Sequence, residues 1–377
     1  MRFAFYLYKY FPFGGLQRDF MRIAQICLER GHSIDVAAME WNGDIPPGMS
    51  LSVLPVKGFA NHQRCLSFAN MVAGFTKDNI YDAVVGFNKI PGLDVYFAAD
   101  PCYKAKVLEE KSFLYRLTPR YRTYAALEKA VFDPAARTHI LLISEREREK
   151  FIRCYNTPAE RFHSLPPGIS RDRIAPANAE AIRHTLRGEL GISDDMLFLL
   201  MVGSSFTTKG LDRSILAVAS LPEALRKKVR LLVIGEGDQQ PFIRLAKRKH
   251  ISDQLLFMGG RNDVPRFLLG ADLLLHPAYT ENTGTVLVEA MASGLPVLAT
   301  EICGYSSYVK EAEAGLLIPS PFRQQTFNDL LQYMLSSQDR MQWGKNGIAY
   351  TTRTDVFSMP EKAADIIEAV AVQGRLA

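Results

Sequence analysis

Short apolar runs alternate with amphipathic stretches along the whole chain, and this alternation leaves few folds open. In the first half the strand-like runs are Arg2–Tyr8, Ser33–Ala38, Ala83–Phe87, Val95–Ala99 and Ile140–Ser144. In the second half they are Leu197–Val202, Arg230–Ile234, Leu255–Met258, Leu273–His276, Pro296–Ala299 and Gly315–Ile318. Helical patterns such as Leu16–Glu29 and Leu211–Leu221 separate most of them. A strand covered on both faces reads as a continuous apolar run, and strands joined through helices run parallel. The chain is therefore α/β with parallel sheets. Its 377 residues exceed one ordinary core and suit two. Leu165-Pro-Pro-Gly-Ile-Ser is a natural hinge. It divides the chain into residues 1–168 and 169–356, followed by a last helix, Pro360–Val372, within 357–377. Pattern alone does not say where that helix docks.

Composition narrows the setting. The chain is 47% hydrophobic and 23% charged, as globular proteins are. No apolar run reaches the roughly 18 to 20 residues of a membrane helix. The N-terminus is too short and aromatic for a signal peptide, and Lys9 interrupts it. Five scattered cysteines without a C-x-x-C pair predict reduced thiols, a cytoplasmic setting and no zinc site. No Asp-x-Asp pair is placed for a divalent cation, since Asp194-Asp195 falls in a connecting loop, so no metal is expected. Residues 1–168 carry 22 Lys and Arg against 17 Asp and Glu, whereas 169–377 carry 23 of each. Seven basic and three acidic residues fall within 103–132, so the excess charge belongs largely to one surface.

The motif richest in chemistry is Pro277-Ala-Tyr-Thr-Glu281-Asn-Thr-Gly-Thr-Val-Leu-Val-Glu289-Ala-Met. An apolar strand runs into it, so Glu281 falls in a polar turn and Glu289 about a turn inside the following helix. A strand, a turn and a helix N-terminus make a site for an anion. That geometry suits a nucleotide sugar: diphosphate on the helix end, ribose on the inner carboxylate, sugar near the outer one. Met201-Val-Gly-Ser-Ser-Phe-Thr-Thr-Lys209-Gly repeats the arrangement, and Lys209 either neutralises a diphosphate or is a solvated helix-start lysine. Gly14-Gly15, after the first strand, either admit a phosphate or form a tight turn needing positive φ. No G-x-G-x-x-G fingerprint is present, which argues against a dinucleotide.

Arg261-Asn262-Asp263 follows another strand and offers an arginine plane to a base, or else a capped surface turn. Asp100 ends the run Val95–Ala99, and Asp19 lies in the first helix. Each either faces a ligand or serves the backbone, Asp100 as a cap or turn residue and Asp19 in the first helical turn. His276 sits on an apolar strand, where a lone histidine is more often a buried, hydrogen-bonded residue than a catalyst. In residues 103–132 aromatic and basic residues interleave, with Tyr115, Tyr121 and Tyr124 beside Arg116, Arg120 and Arg122. No nucleic-acid module accompanies them, so an anionic membrane surface is the expected partner. The other reading is a solvated face with snorkelling stems.

Together these stretches resemble the retaining glycosyltransferases of family 4. The resemblance is carried by Glu281-x7-Glu289, the Gly14-Gly15 loop, Val202-Gly203…Lys209-Gly210 and Leu165-Pro-Pro-Gly. Arg261-Asn-Asp, Leu273-Leu-Leu-His-Pro-Ala-Tyr, Cys303-Gly-Tyr, Phe113-Leu-Tyr-Arg-Leu-Thr and Pro360-Glu-Lys-Ala-Ala-Asp-Ile-Ile are similar to the lipopolysaccharide-core glucosyltransferases of Gram-negative bacteria. The resemblance implies the GT-B fold, two Rossmann-like parallel-sheet domains facing a central cleft. It implies that Glu289 holds the ribose of UDP and that Arg261 and Asn262 hold uracil. Lys209, Gly15 and the helix start at Gly284, Thr285 and Val286 would hold the diphosphate. Glu281, Asn282 and Thr283 would face the donor sugar, and Asp19 and Asp100 would line the acceptor side. The last helix would return to the first domain, and residues 103–132 would touch the inner face of the inner membrane. Ser204 and Thr208 depart from the family, which often has an arginine straight after the glycine at 203. Asp100 stands where a histidine is common.

The expected activity is metal-independent, retaining transfer of glucose from UDP-glucose to a heptose of the lipopolysaccharide inner core. Donor sugars such as galactose or an N-acetylhexosamine, a UDP-sugar epimerase or hydrolase, and a non-catalytic sugar-nucleotide-binding scaffold are the alternatives.

Overall fold

The computed structural model describes residues 1–12 and 14–376; Phe13 and Ala377, which fall inside the expected domain spans, lie outside the described residues. The chain forms two compact units, Met1–Gly168 with Ser358–Ala377, and Ile169–Phe357.

The first unit holds strands β1 (Arg2–Tyr10), β2 (Ser33–Trp41), β3 (Met49–Val53), β4 (Ala83–Gly86), β5 (Val95–Ala98), β6 (His139–Leu142) and β7 (Phe162–Ser164). They form one sheet in the order β3-β2-β1-β4-β5-β6-β7, parallel throughout. Alternation along β1 supplies two cores: Phe3, Phe5 and Leu7 pack on one face, Ala4 and Tyr6 on the other. β3 and β7 are the two strands that the apolar pattern does not announce. They are the outer strands of the sheet, and their sequences, Met-Ser-Leu-Ser-Val and Phe-His-Ser, are half polar because an edge needs no continuous apolar run. β1 and β2 also run further than Tyr8 and Ala38, because Tyr10 stacks on Trp41 with ring centroids 4.1 Å apart across their ends.

The second unit holds β8 (Leu197–Val202), β9 (Val229–Ile234), β10 (Leu255–Gly259), β11 (Leu273–His276), β12 (Val297–Thr300) and β13 (Gly315–Ile318), ordered β10-β9-β8-β11-β12-β13 and again parallel. Strand order reverses between β8 and β11. The loops leaving their carboxyl ends therefore diverge to opposite faces and leave a crevice, the usual ligand position in such sheets.

The last helix, Met359–Leu376, belongs to the first unit. Met359, Ala363, Ala364, Ile367 and Ala371 recur at helical spacing and join the core face built by β1 and the helix Gly15–Glu29.

Candidate functional site

Lys209 and Glu281 are carried by the two loops that flank the reversal point of the second sheet. β8 ends at Val202, and Gly203 turns the chain at φ +143°. Gly210, at φ +77°, opens the helix Leu211–Ser220. A Cβ on Gly210 would lie 2.1 Å from the Pro277 carbonyl oxygen, so this position needs glycine both for its φ and for the closeness of the β11 loop. Hydrogen bonds fasten the two loops together. The Tyr279 amide donates to the Thr208 carbonyl at 2.8 Å. Arg213 donates to the Pro277 and Ala278 carbonyls at 3.0 Å each. Its guanidinium lies between the Tyr279 and Phe322 rings, 3.5 and 3.7 Å from their centroids.

Fastened this way, the Lys209 ammonium forms an ion pair with Glu281 Oε2. The same oxygen meets His276 Nε2 at 3.0 Å. His276 is the last residue of β11 and 1% exposed. It is the buried, hydrogen-bonded residue that its apolar strand suggests, but its partner is Glu281 itself, which sequence pattern did not show. Burial works to raise the Glu281 pKa. The hydrogen bond and charge of His276, with Lys209, outweigh it and lower the carboxyl to about 2. Glu281 is thus an anion with two partners.

Thr283 and Gly284 follow. Gly284 adopts φ +81° and caps the helix Thr285–Ala292, in which Val286 and Glu289 are buried. The cap residue is a glycine and supplies no side-chain acceptor to that N-terminus, whose positive end suits an anion. Asn282 and Thr283 are half-buried beside it, and the Thr283 carbonyl accepts from the Tyr305 amide at 2.7 Å. One turn into the helix, Glu289 is 6% exposed and forms an ion pair with Arg173 Nε at 3.3 Å. Arg173 comes from the turn Arg171–Arg173, and Ser293 Oγ donates to its carbonyl. Nothing in the sequence around Arg173 signals this pairing. Arg261 is held by Asp263 in a two-pronged pair of 2.6 and 2.8 Å, with its guanidinium 4.8 Å from the Phe267 ring centre. Asp263 therefore occupies the helix-cap position without capping, while Asn262 beside it is exposed.

The remaining candidates belong to the first unit. Gly15 is the first residue of its helix, and among the described residues nothing beyond its chain neighbours and its own helix backbone lies within 4 Å of a Cβ placed on it. Gly14 caps that helix at φ −83°, so the turn does not require positive φ. The close neighbour is the Gln17 side chain, which donates to the Lys9 carbonyl at 2.9 Å and would lie 1.8 Å from a Cβ at Gly14. Asp19 sits in the second helical turn, half-buried, so the first-turn dipole reading fails. Asp100 is exposed two residues beyond β5. The chain just after it is pinned: Lys89 donates to the Pro101 carbonyl at 2.8 Å, and the Cys102 amide to Glu147 at 2.7 Å.

Residues 103–132 form the helix Tyr103–Glu110, a 3-10 turn Phe113–Leu117 and the helix Pro119–Phe132, which Thr118 caps through the Tyr121 amide. Buried Glu128 accepts from the Tyr103 and Lys104 amides at 2.7 and 2.9 Å and from Lys89 at 2.5 Å, tying the segments together. Phe113, Leu114 and Leu117 are 64%, 71% and 53% exposed among these basic residues. Among the described residues no helix is long and apolar enough to cross a membrane. Nor do three or more His, Cys, Asp or Glu residues gather there as a metal site would need.

Residues 182–350 match the family of glycosyl transferases group 1. The chain is 48% identical over 365 residues to the lipopolysaccharide glucosyltransferase WaaG of Escherichia coli K12, covering 97% of this chain and 98% of the relative. It belongs to the group 1 glycosyltransferases. The crystal structure of WaaG, a glycosyltransferase involved in lipopolysaccharide biosynthesis, superposes with a TM-score of 0.92 at 47% identity, covering 97% of this chain and 99% of that one. The structure of Anabaena Alr3699/HepE with UDP and glucose superposes with a TM-score of 0.75 at 19% identity, covering 98% and 100%. The fold is thus the GT-B glycosyltransferase fold, one parallel α/β sheet in each unit.

Proposed function

We propose that this glycosyltransferase moves glucose from UDP-glucose to a heptose of the lipopolysaccharide inner core, with retention at the anomeric carbon and without a metal. One observation carries the reading: Glu281, Lys209 and a helix start with glycine at its cap position converge at the reversal point of the second sheet. Near-full-length likeness to a lipopolysaccharide glucosyltransferase supplies the sugar and the acceptor class. Lys209, Gly15 and the amides of Thr285 and Val286 hold the diphosphate, Glu289 the ribose, and Arg261 and Asn262 the uracil. Glu281 with Asn282 and Thr283 faces the glucose, and Asp19 and Asp100 face the acceptor.

The acceptor oxygen bonds to the anomeric carbon as the bond from that carbon to the β-phosphate oxygen breaks. The bonding pair leaves with UDP, and the acceptor proton passes to the departing phosphate on the same face. Lys209 and the helix end stabilise the charge that develops there, the task a divalent cation performs elsewhere. The basic, apolar-tipped segment 103–132 brings the enzyme to an anionic membrane surface, the cytoplasmic face of the inner membrane.

The test is UDP release from several UDP-sugars with and without a truncated core acceptor. UDP-glucose should turn over only when acceptor is present. Release without acceptor would indicate a hydrolase, and faster turnover of UDP-galactose or a UDP-N-acetylhexosamine would change the donor.

A further inference from the structure

Glu281 Oε2 serves two donors at once, the Lys209 ammonium and His276 Nε2. If the proposed function holds, the lysine has a second task, because the donor's diphosphate calls on the same charge. A carboxylate held by lysine alone would lose its position as the lysine turned to phosphate. His276 is built to keep it. The residue ends β11 and is fixed in the ladder opposite Ala299 of β12. Its side chain is 1% exposed, and among the described residues its ring meets Glu281 through Nε2. Its Nδ1 is buried without a hydrogen-bond partner among the described residues. An apolar side chain would fill this strand end without leaving a buried nitrogen unsatisfied, so packing does not explain the histidine, whereas the contact of its ring with Glu281 does. Donating to a carboxylate puts the proton on Nε2.

We infer that His276 is the positioning residue for Glu281, holding its carboxylate toward the donor sugar once Lys209 has moved to the diphosphate. The inference rests on the reading of the site given above and adds a residue to it.

Three substitutions separate the possibilities. His276→Leu removes the hydrogen bond, His276→Gln replaces the Nε2 donor at similar reach, and His276→Asn is too short to reach Glu281. UDP affinity by calorimetry and steady-state transfer from UDP-glucose are measured for each, with Glu281→Ala alongside. His276→Leu should bind UDP within about threefold of the unsubstituted enzyme yet transfer roughly 100-fold more slowly, the scale of loss expected from a misplaced contact. His276→Gln should recover most of that rate, and His276→Asn should not. His276→Leu added to Glu281→Ala should cost nothing further, because the two act as one unit. Equal rates in the Gln and Asn variants, or a loss of UDP binding in step with turnover, would overturn the inference, and both remain readable if the Leu variant does not fold. Normal transfer by Glu281→Ala would instead sink the site reading on which it rests.

Discussion

At the scale of single residues, the charge on Glu281 is the quantity that organises the site. Its carboxyl is lowered to about 2, because His276 and Lys209 outweigh the burial that would raise it. The folded pKa lies below the unfolded value of about 4.3. The ionised group therefore stabilises the fold fully above that value, and the contribution drains away as pH falls toward 2. Glu281→Gln should flatten this acid limb: the urea midpoints of variant and parent should converge between about pH 5 and pH 2.5, and parallel curves would disprove the assignment. A group so strongly ionised does not lend a proton near neutrality, so Glu281 is not the proton-donating acid of a glycoside-hydrolysis couple. A second expectation concerns Lys209, which the carboxylate engages when no donor is bound. Glu281→Ala should bind UDP several-fold more tightly than the parent while failing to transfer sugar; calorimetry showing weaker binding would mean that Lys209 does not serve the diphosphate. Lys209 and Glu281 were legible in the sequence because each follows an apolar strand by a short polar turn. The Glu281 partner of His276 was not, since it depends on how the turn after β11 folds back, nor was the Arg173–Glu289 pair, since an ion pair between separate segments leaves no periodicity to read.

Among elements, the loops after β8 and β11 act as one piece. Gly210 is the contact that permits it, with φ +77° and the Pro277 carbonyl in the place of its missing side chain. Gly210→Ala should destabilise the fold by about 2–4 kcal/mol through strain and overpacking and should weaken UDP binding as Lys209 shifts. Gly15 offers the contrast. It has helical φ and open space around it, so Gly15→Ala should leave the thermal midpoint nearly unchanged. A fall in transfer at constant midpoint would assign Gly15 to ligand approach, and unchanged transfer would remove it from the site. The Gly203–Gly210 loop was legible as glycine punctuation between strand and helix, whereas the edge strands β3 and β7 were hidden by their polar residues. The segment 103–132 shows its basic and aromatic interleaving in the sequence, but the exposure of Phe113, Leu114 and Leu117 becomes visible only when the 3-10 turn is built. Arg116, Arg120 and Arg122 changed together to Glu should reduce co-sedimentation with anionic vesicles far more than turnover on a soluble acceptor, with the difference shrinking at high salt; equal sedimentation would sink the membrane reading.

On the scale of the molecule, the chain leaves the first unit at Gly168 and re-enters it at Ser358. The Leu165-Pro-Pro-Gly stretch made the first crossing legible, since proline and glycine punctuate it. The return of the last helix was not legible from pattern, because an amphipathic stripe says that one face is buried without saying against what. Its docking is specific in the structure. Met359, Ala363, Ala364, Ile367 and Ala371 complete the core face beside Phe20 and Ile23. Glu368 meets His32 at 2.7 Å and Arg30 at 3.1 Å, while Asp365 meets Arg30 at 2.8 Å. Burial of Met359 and Ile367 alone is worth about 1.5–3 kcal/mol each. Removing the whole helix should therefore approach the 5–15 kcal/mol that holds an ordinary domain together. A chain ending at Phe357 should unfold in two steps, with the first-unit transition moved to much lower denaturant and the second nearly where it was. It should bind an apolar dye, retain UDP affinity through the intact second unit and lose transfer. A single transition shifted as a whole would show instead that the two units fold as one cooperative body and that the helix stabilises both.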